Sequence, residues 1–176
     1  MPHASPPQLH LRLTSAAATW DLGRRIGALS TAGQVIALSG DLGAGKTTLT
    51  QGIAAGLGLA AAVTSPTFTL VNEFDAGTRD LRLVHIDVYR LGDTPAQTLA
   101  AVAGIGLDDI LTDAMLPGRA DCGAVVVVEW AERILAALPD DILHVELSQD
   151  PTVPDVRVVH LRGHGPQSAA LLAALG

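Results

Sequence analysis

Hydrophobic residues recur along this chain with two periods, and segments of the two kinds alternate. Short alternating or continuously apolar runs predict strands, whereas runs with an apolar residue every three or four positions predict helices. The predicted strands are 9–13, 34–39, 81–87, 124–129, 143–147 and 156–161, and the predicted helices are 19–29, 46–57, 95–102, 132–138 and 167–175. Strands interleaved with helices predict an α/β domain with a mainly parallel central sheet flanked by helices. The last two strands flank a proline-containing loop, and we expect them to be antiparallel C-terminal strands.

The length, the composition and the charge of the chain limit the kinds of protein that it can be. At 176 residues without a linker, it fits a single domain, expected over 9–176, after a flexible amino end at 1–8. No apolar run approaches the roughly 18 residues of a membrane span, and a single cysteine suits a reducing compartment, so we expect a cytoplasmic protein. The net charge of −7 argues against a chain that binds nucleic acid by itself, because phosphate contacts call for a basic surface.

A phosphate-binding pattern follows the second predicted strand. Residues 40–47 read Gly-Asp-Leu-Gly-Ala-Gly-Lys-Thr and match G-x-x-x-x-G-K-[ST], with a strand before and a helix after. Glycines let successive N–H groups point at phosphate oxygens, and the helix start adds the positive end of its dipole. We expect Lys46, the only lysine of the chain, to bind the terminal phosphates of ATP and the Thr47 hydroxyl to hold Mg²⁺. The predicted binding loop comprises Gly40, Asp41, Leu42, Gly43, Ala44, Gly45, Lys46 and Thr47.

Two acidic residues end the other apolar strands. Asp87 follows the run 81–86, and Glu129 follows the run 124–128. Sites in α/β sheets lie at the carboxyl ends of strands, and Mg²⁺ requires at least one carboxylate there. Composition and spacing leave open which acid binds the metal and which orients the attacking water. His85 is interpreted as a buried structural histidine that faces away from Asp87.

Two other features allow two interpretations each. Residues 64–69, Thr-Ser-Pro-Thr-Phe-Thr, fit a loop that senses the γ-phosphate or an ordinary polar turn. Trp130 follows Glu129 directly, and by itself it favours packing at the edge of the core.

Four blocks of the sequence stand out in this order: GDLGAGKTT at 40–48, TSPTFTLV at 64–71, HIDVYRL at 85–91 and VEWAER at 128–133. Taken together, they resemble the TsaE family. The resemblance extends over about residues 13–161. It implies a P-loop NTPase fold and a small bacterial ATPase required for making threonylcarbamoyladenosine beside the tRNA anticodon. Ile86 and Val88 stand where the family commonly has Phe and Leu, and the stretch 104–123 is less recognisable.

The resemblance also implies roles for individual residues and partners. Mg-dependent ATP hydrolysis would be activated by a complex of the proteins TsaD and TsaB, with tRNA contacted only indirectly or within that complex. Thr47 and Glu129 would hold Mg²⁺, and Asp87 would be a catalytic or water-positioning acid beside Lys46. Further residues at the nucleotide, ATP or ADP, would be Thr19, Thr48, Thr67 and Trp130.

The glycine-rich loop by itself is also compatible with two other P-loop functions. A small-molecule kinase usually has an arginine-rich lid, whereas the ten arginines here are scattered. A regulatory GTPase switch usually reads guanine with Asn-Lys-x-Asp, which needs a second lysine.

Overall fold

The alternation of strands and helices expected from the sequence is present in the fold. The computed structural model describes residues 6–60, 63–66, 68–75, 77–115 and 123–176. The elements are β1 Gln8–Leu13, α1 Ala16–Leu29, β2 Val35–Ser39, α2 Lys46–Gly56, β3 Val71–Phe74, β4 Leu81–Asp87, α3 Pro95–Gly104, α4 Leu107–Met115, β5 Gly123–Glu129, β6 Ile142–Gln149, β7 Arg157–His164 and α5 Pro166–Leu175. Within the described ranges, no helix combines the length and hydrophobicity needed to cross a membrane.

The seven strands form one sheet in the order β1-β7-β6-β2-β5-β4-β3. The four central strands, β6, β2, β5 and β4, are parallel, while β7, β1 and β3 are antiparallel additions at the two edges. The predicted α/β fold with a parallel centre and antiparallel C-terminal strands is therefore confirmed. In the register, Glu129 lies opposite both Leu38 and Asp87, so the end of β2 and both acids lie together at the carboxyl ends of the parallel strands.

Helices cover both faces of the sheet because β2 and β5 are apolar on both sides. All five residues of β2 are buried. Ile36 and Leu38 belong to the apolar cluster under α1, α2 and α5, and Val35 and Ala37 belong to the cluster under α3 and α4. This division explains why the strands read as continuous apolar runs.

Helices α1 and α2 pack backbone against backbone. The contact is made by four glycines, two from each helix: Gly23, Gly27, Gly52 and Gly56. A methyl group at any of the four would lie 2.0–2.2 Å from a carbonyl oxygen of the facing helix. Helix α2, which begins at Lys46, is therefore fixed closely against α1.

Several segments differ from the sequence prediction. The helix predicted over 132–138 is wrong: two 3₁₀ turns, Ala131–Arg133 and Leu135–Ala137, stand there. Trp130 has a left-handed φ of 63°, and Ile134 has φ −135°, so the backbone leaves the helical region on both sides of the first turn. Strand β3 and helix α4 were not predicted. Of the predicted flexible end, residues 1–5 lie outside the described residues, and Gln8 already belongs to β1.

Candidate functional site

The glycine-rich loop between β2 and α2, residues 40–45, curls tightly at three glycines. Gly40, Gly43 and Gly45 have φ of 132°, 78° and 106°. Only glycine adopts such values without strain. At Gly40 a Cβ atom would also lie 2.0 Å from the carbonyl oxygen of Leu147, so no side chain fits. Gly45 caps α2 without any side-chain hydrogen bond, which leaves the first N–H groups of the helix available to an anion.

Lys46 is a buried ammonium group at the floor of the site. Its Nζ atom donates hydrogen bonds to the carbonyl oxygens of Gly40 at 2.5 Å and Asp41 at 2.9 Å. It also lies 3.7 Å from the ring centroid of Trp130. Burial lowers the pKa of Lys46 below its usual 10.5, and the nearby carboxylates, Glu129 foremost, oppose that shift. The charge is thus poorly hydrated, and an anion placed against it would be attracted strongly.

Glu129 is the centre of a buried hydrogen-bonded group. The Thr47 hydroxyl donates toward its two carboxylate oxygens at 3.1 and 3.2 Å. His85 Nε2 lies 2.9 Å from Glu129 Oε1, and both side chains are almost completely buried. The expectation that His85 is buried is confirmed, but its predicted orientation is wrong. Residues two apart on a strand share a face, so His85 and Asp87 point to the same side of the sheet.

Asp87 is also buried, but it has different partners. Its Oδ2 accepts a hydrogen bond from the Ser65 hydroxyl at 3.0 Å, and its Oδ1 accepts one from the backbone N–H of Tyr89 at 2.9 Å. The hydroxyl-rich segment 64–69 therefore reaches the strand-end acids. Thr67, predicted to lie at the nucleotide, is outside the described residues.

Trp130 lies at the mouth of the site rather than only at the edge of the core. Its left-handed backbone turns the ring over Lys46, and the ring centroid is 4.7 Å from that of Tyr89. The guanidinium of Arg133 lies 5.6 Å from the Trp130 ring. Both cations are within about 6 Å of the ring centroid, the range in which a cation interacts with an indole.

These side chains border one open cavity of about 500 Å³ at the carboxyl edge of the sheet. Its lining comprises Leu42, Gly43, Gly45, Lys46, Thr47, Thr48, Ser65, Asp87, Tyr89, Arg90, Glu129 and Trp130. The cavity thus brings together most of the residues predicted from the sequence. Its size falls within the range of small-molecule sites.

Four of the predicted residues that the structure describes lie outside that lining. Gly40 and Asp41 face a separate hollow beside β6, and Ala44 is buried. Thr19, also buried, borders a small hollow of about 130 Å³ together with Gly43, Gly45 and Thr48. Thr19 is therefore next to the loop but is not part of the lining of the main cavity.

Two residues that the sequence did not suggest support the loop from outside. Arg157 donates from Nε to the carbonyl of Ala44 at 3.1 Å and from its terminal nitrogen to the carbonyl of Gly43 at 3.3 Å. Gln149 also donates to Gly43, at 3.4 Å. Both lie more than 100 residues away in the sequence, on β6 and β7, so no local pattern indicated them. Both side chains bind carbonyl groups of the loop that point away from the cavity. Holding those carbonyls outward favours a loop whose N–H groups point into the cavity.

The donor set of the cavity suits magnesium. Thr47, Asp87 and Glu129 offer only oxygen atoms, the ligands that Mg²⁺ prefers. In the described ranges, no group of three or more His, Cys, Asp or Glu side chains could hold a metal by itself. This composition fits Mg²⁺ bound with a nucleotide, because the ion then takes one or two ligands from the protein and the rest from phosphates and water.

Comparisons with known proteins agree on one family. The model of the TsaE family, described as threonylcarbamoyl adenosine biosynthesis protein TsaE, matches residues 13–157. The tRNA threonylcarbamoyladenosine biosynthesis protein TsaE of Streptomyces coelicolor is 38% identical over 85% of this chain and 93% of its own length. Its counterpart in Bacillus subtilis is 36% identical over 81% and 78%.

A solved structure extends the likeness to the fold. The crystal structure of Bacillus subtilis YdiB matches with a TM-score of 0.75 and 31% identity, covering 98% of this chain and 96% of that one. The chain therefore has a P-loop NTPase fold and belongs to the TsaE family of tRNA threonylcarbamoyladenosine biosynthesis proteins.

Proposed function

We propose that this chain binds and hydrolyses Mg-ATP in support of tRNA threonylcarbamoyladenosine formation, together with the proteins TsaD and TsaB. The proposal rests on one observation, which is that three groups line the same cavity. The buried Lys46 ammonium, the Thr47–Glu129 pair and the start of α2 all lie on its floor. A cation, a hydroxyl–carboxylate pair and free N–H groups are what a metal-bound triphosphate requires.

The loop and Lys46 bind the phosphates in this proposal. Lys46 exchanges its two carbonyl acceptors for phosphate oxygens, which are stronger partners because they are charged. Arg157 and Gln149 keep hold of the outward carbonyls of Gly43 and Ala44, so the backbone does not have to reorganise. Thr48 and Thr19, which border the small hollow beside the loop, would lie near the nucleotide.

Thr47 and Glu129 would hold Mg²⁺, and Asp87 would orient the attacking water. Glu129 is already hydrogen-bonded to the Thr47 hydroxyl, whereas Asp87 is held by Ser65 and Tyr89 at the edge of the loop 64–69. When bound, Mg²⁺ neutralises charge that develops on the transferred phosphoryl group. The carboxylate oxygens of Asp87, which accept hydrogen bonds, would hold a water molecule and take its proton.

Side chains around the mouth of the cavity suggest that a partner protein binds over it. Leu42, at the tip of the glycine-rich loop, is 78% exposed, and Phe68 is 82% exposed. Arg90 lies 4.3 Å from the Phe68 ring. An exposed apolar rim around a polar cavity is typical of a surface that meets another protein. We propose that the TsaD–TsaB complex docks here, and that tRNA is reached only through that complex, given the net charge of −7.

The test is ATP turnover by the purified protein with and without purified TsaD–TsaB. We expect slow hydrolysis alone and a marked increase with the complex. Lys46→Ala is expected to weaken nucleotide binding by about 100-fold or more, because it removes charge-assisted hydrogen bonds to phosphate. Glu129→Ala is expected to lower Mg-dependent turnover about 100-fold while ADP still binds. Asp21→Ala is the matched control, since it removes an exposed carboxylate of α1 that pairs with Arg24 at the surface.

Three results would contradict the proposal. Wild-type turnover by Glu129→Ala under saturating Mg²⁺ would refute the metal assignment. A preference for GTP over ATP would favour a regulatory switch. Hydrolysis that depends on a small-molecule phosphate acceptor would favour a kinase.

A further inference from the structure

His85 is a buried polar side chain for which the steps proposed above have no use. It lies on β4, the neighbour of the edge strand β3, with Val127 of β5 opposite it on one side and Asn72 of β3 on the other, and its side chain has no exposed surface. Leu83, two residues earlier on the same face, and Val127 are fully buried aliphatic residues. An aliphatic side chain at position 85 would continue that core without any polar group to satisfy.

The imidazole is only partly satisfied. His85 Nε2 donates a hydrogen bond to Glu129 Oε1 at 2.9 Å, since a carboxylate oxygen is the acceptor in such a pair. Nδ1 is buried and has no hydrogen-bond partner among the described residues. A buried unpaired nitrogen destabilises a fold. Packing therefore does not explain His85, whereas its hydrogen bond to Glu129 does.

That bond restricts the Glu129 carboxylate. Oε1 receives His85 on one side, and the Thr47 hydroxyl lies at 3.1 and 3.2 Å from the two oxygens on the other. A carboxylate bonded from two directions cannot rotate freely about its terminal torsion. Oε2, which does not contact His85, is held facing Thr47.

We infer that His85 is a positioning residue, which holds the Glu129 carboxylate in the orientation in which it and Thr47 accept Mg²⁺. The inference rests on the proposed function, since it concerns the same metal-binding pair. Partners of this kind behind a metal ligand typically change metal affinity by about 10- to 100-fold when they are removed.

Three substitutions separate hydrogen bonding from packing. His85→Leu keeps an apolar volume and removes the donor. His85→Gln places an amide N–H at about the reach of Nε2, while the shorter His85→Asn reaches only as far as Nδ1. Val84→Ala is the control for a loosened strand, because Val84 is buried on the opposite face of β4 and belongs to the other apolar cluster.

The readout is Mn²⁺ binding in the presence of saturating ADP, measured by electron paramagnetic resonance with Mn²⁺ in place of Mg²⁺. His85→Leu and His85→Asn are expected to bind Mn²⁺ about 10- to 100-fold more weakly than wild type. His85→Gln and Val84→Ala are expected to remain within about threefold. ADP affinity without metal, measured by calorimetry, is expected to be the same in all five proteins.

Each outcome has a distinct meaning. Wild-type Mn²⁺ affinity in His85→Leu and His85→Asn would overturn the inference and leave the proposed function intact. An equal loss in Val84→Ala or in His85→Gln would also overturn it, because the loss would then not follow the hydrogen bond. If His85→Leu does not fold, the comparison of Gln with Asn decides. A wild-type protein that binds ADP but no Mn²⁺ would refute the proposed metal site itself.

Discussion

The glycine contact between α1 and α2 predicts a substitution that is unfavourable despite improving helix propensity. In Gly23→Ala, the added methyl group would lie 2.1 Å from the Leu49 carbonyl oxygen and 3.0 Å from the Ile53 nitrogen. Both atoms are backbone, so the helices would have to separate by roughly 1 Å to restore normal contact. Overpacking of this kind costs about 1–3 kcal/mol, and the upper end applies because no flexible side chain can yield.

Alanine recovers part of that cost, because it is favoured over glycine inside a helix by about 1 kcal/mol. The net loss is then about 2 kcal/mol, which for a domain of this size lowers the melting temperature by about 4–8 °C. Gly104→Ala is the matched control. Gly104 ends α3, and nothing lies within 4 Å of a methyl group placed there.

Thermal unfolding followed by circular dichroism measures both variants under identical conditions. We expect Gly23→Ala to unfold well below wild type and Gly104→Ala to unfold at the wild-type temperature or slightly above it. If Gly23→Ala unfolds at or above Gly104→Ala, the close approach of α1 and α2 is not what the fold requires, and the reasoning fails.

Three further predictions concern single side chains. Arg157→Met should weaken ADP binding about tenfold in calorimetry, because two hydrogen bonds to the carbonyls of Gly43 and Ala44 are lost and the loop must be ordered on binding; an unchanged affinity would contradict it. Lys46→Met should unfold at a higher temperature than wild type at pH 7, because burial lowers the Lys46 pKa and the charged form is costly. The difference in melting temperature between the two proteins should shrink as the pH rises from the lowered pKa toward 10.5, because the folded wild type loses the Lys46 proton in this range before the unfolded chain does. A difference that stays constant over this range would refute the prediction. Thr94→Ala removes the capping box of α3 and should cost about 1 kcal/mol in urea unfolding, with no effect on nucleotide binding.

The glycine-rich loop and the strand-end acids could be predicted because their signals are local. The loop needs glycines at fixed spacing between a strand and a helix, and each acid simply ends an apolar run. Parallel strands then bring those ends to one edge, which is why Asp87 and Glu129 lie opposite each other in the register.

What could not be predicted depends on contacts between distant segments. Arg157 reaches the loop from β7, and His85 reaches Glu129 from a neighbouring strand. The orientation of His85 could have been predicted from the sequence, since residues two apart on a strand share a face and Asp87 is two residues after His85. Strand β3 has only four residues at the sheet edge and carries little apolar signal. Helix α4 does have an amphipathic pattern, but glycines at 104 and 106 precede it and obscured its start.

The ring of Trp130 above the Lys46 ammonium has a practical consequence. The chain has two tryptophans, and the other, Trp20, lies 38% exposed on α1. Replacing Trp20 with phenylalanine leaves a single indole whose emission is sensitive to a cation 3.7 Å from its centre. Any displacement of that cation by an arriving ligand changes the field at the indole, so stopped-flow fluorescence can follow occupancy in real time without a label.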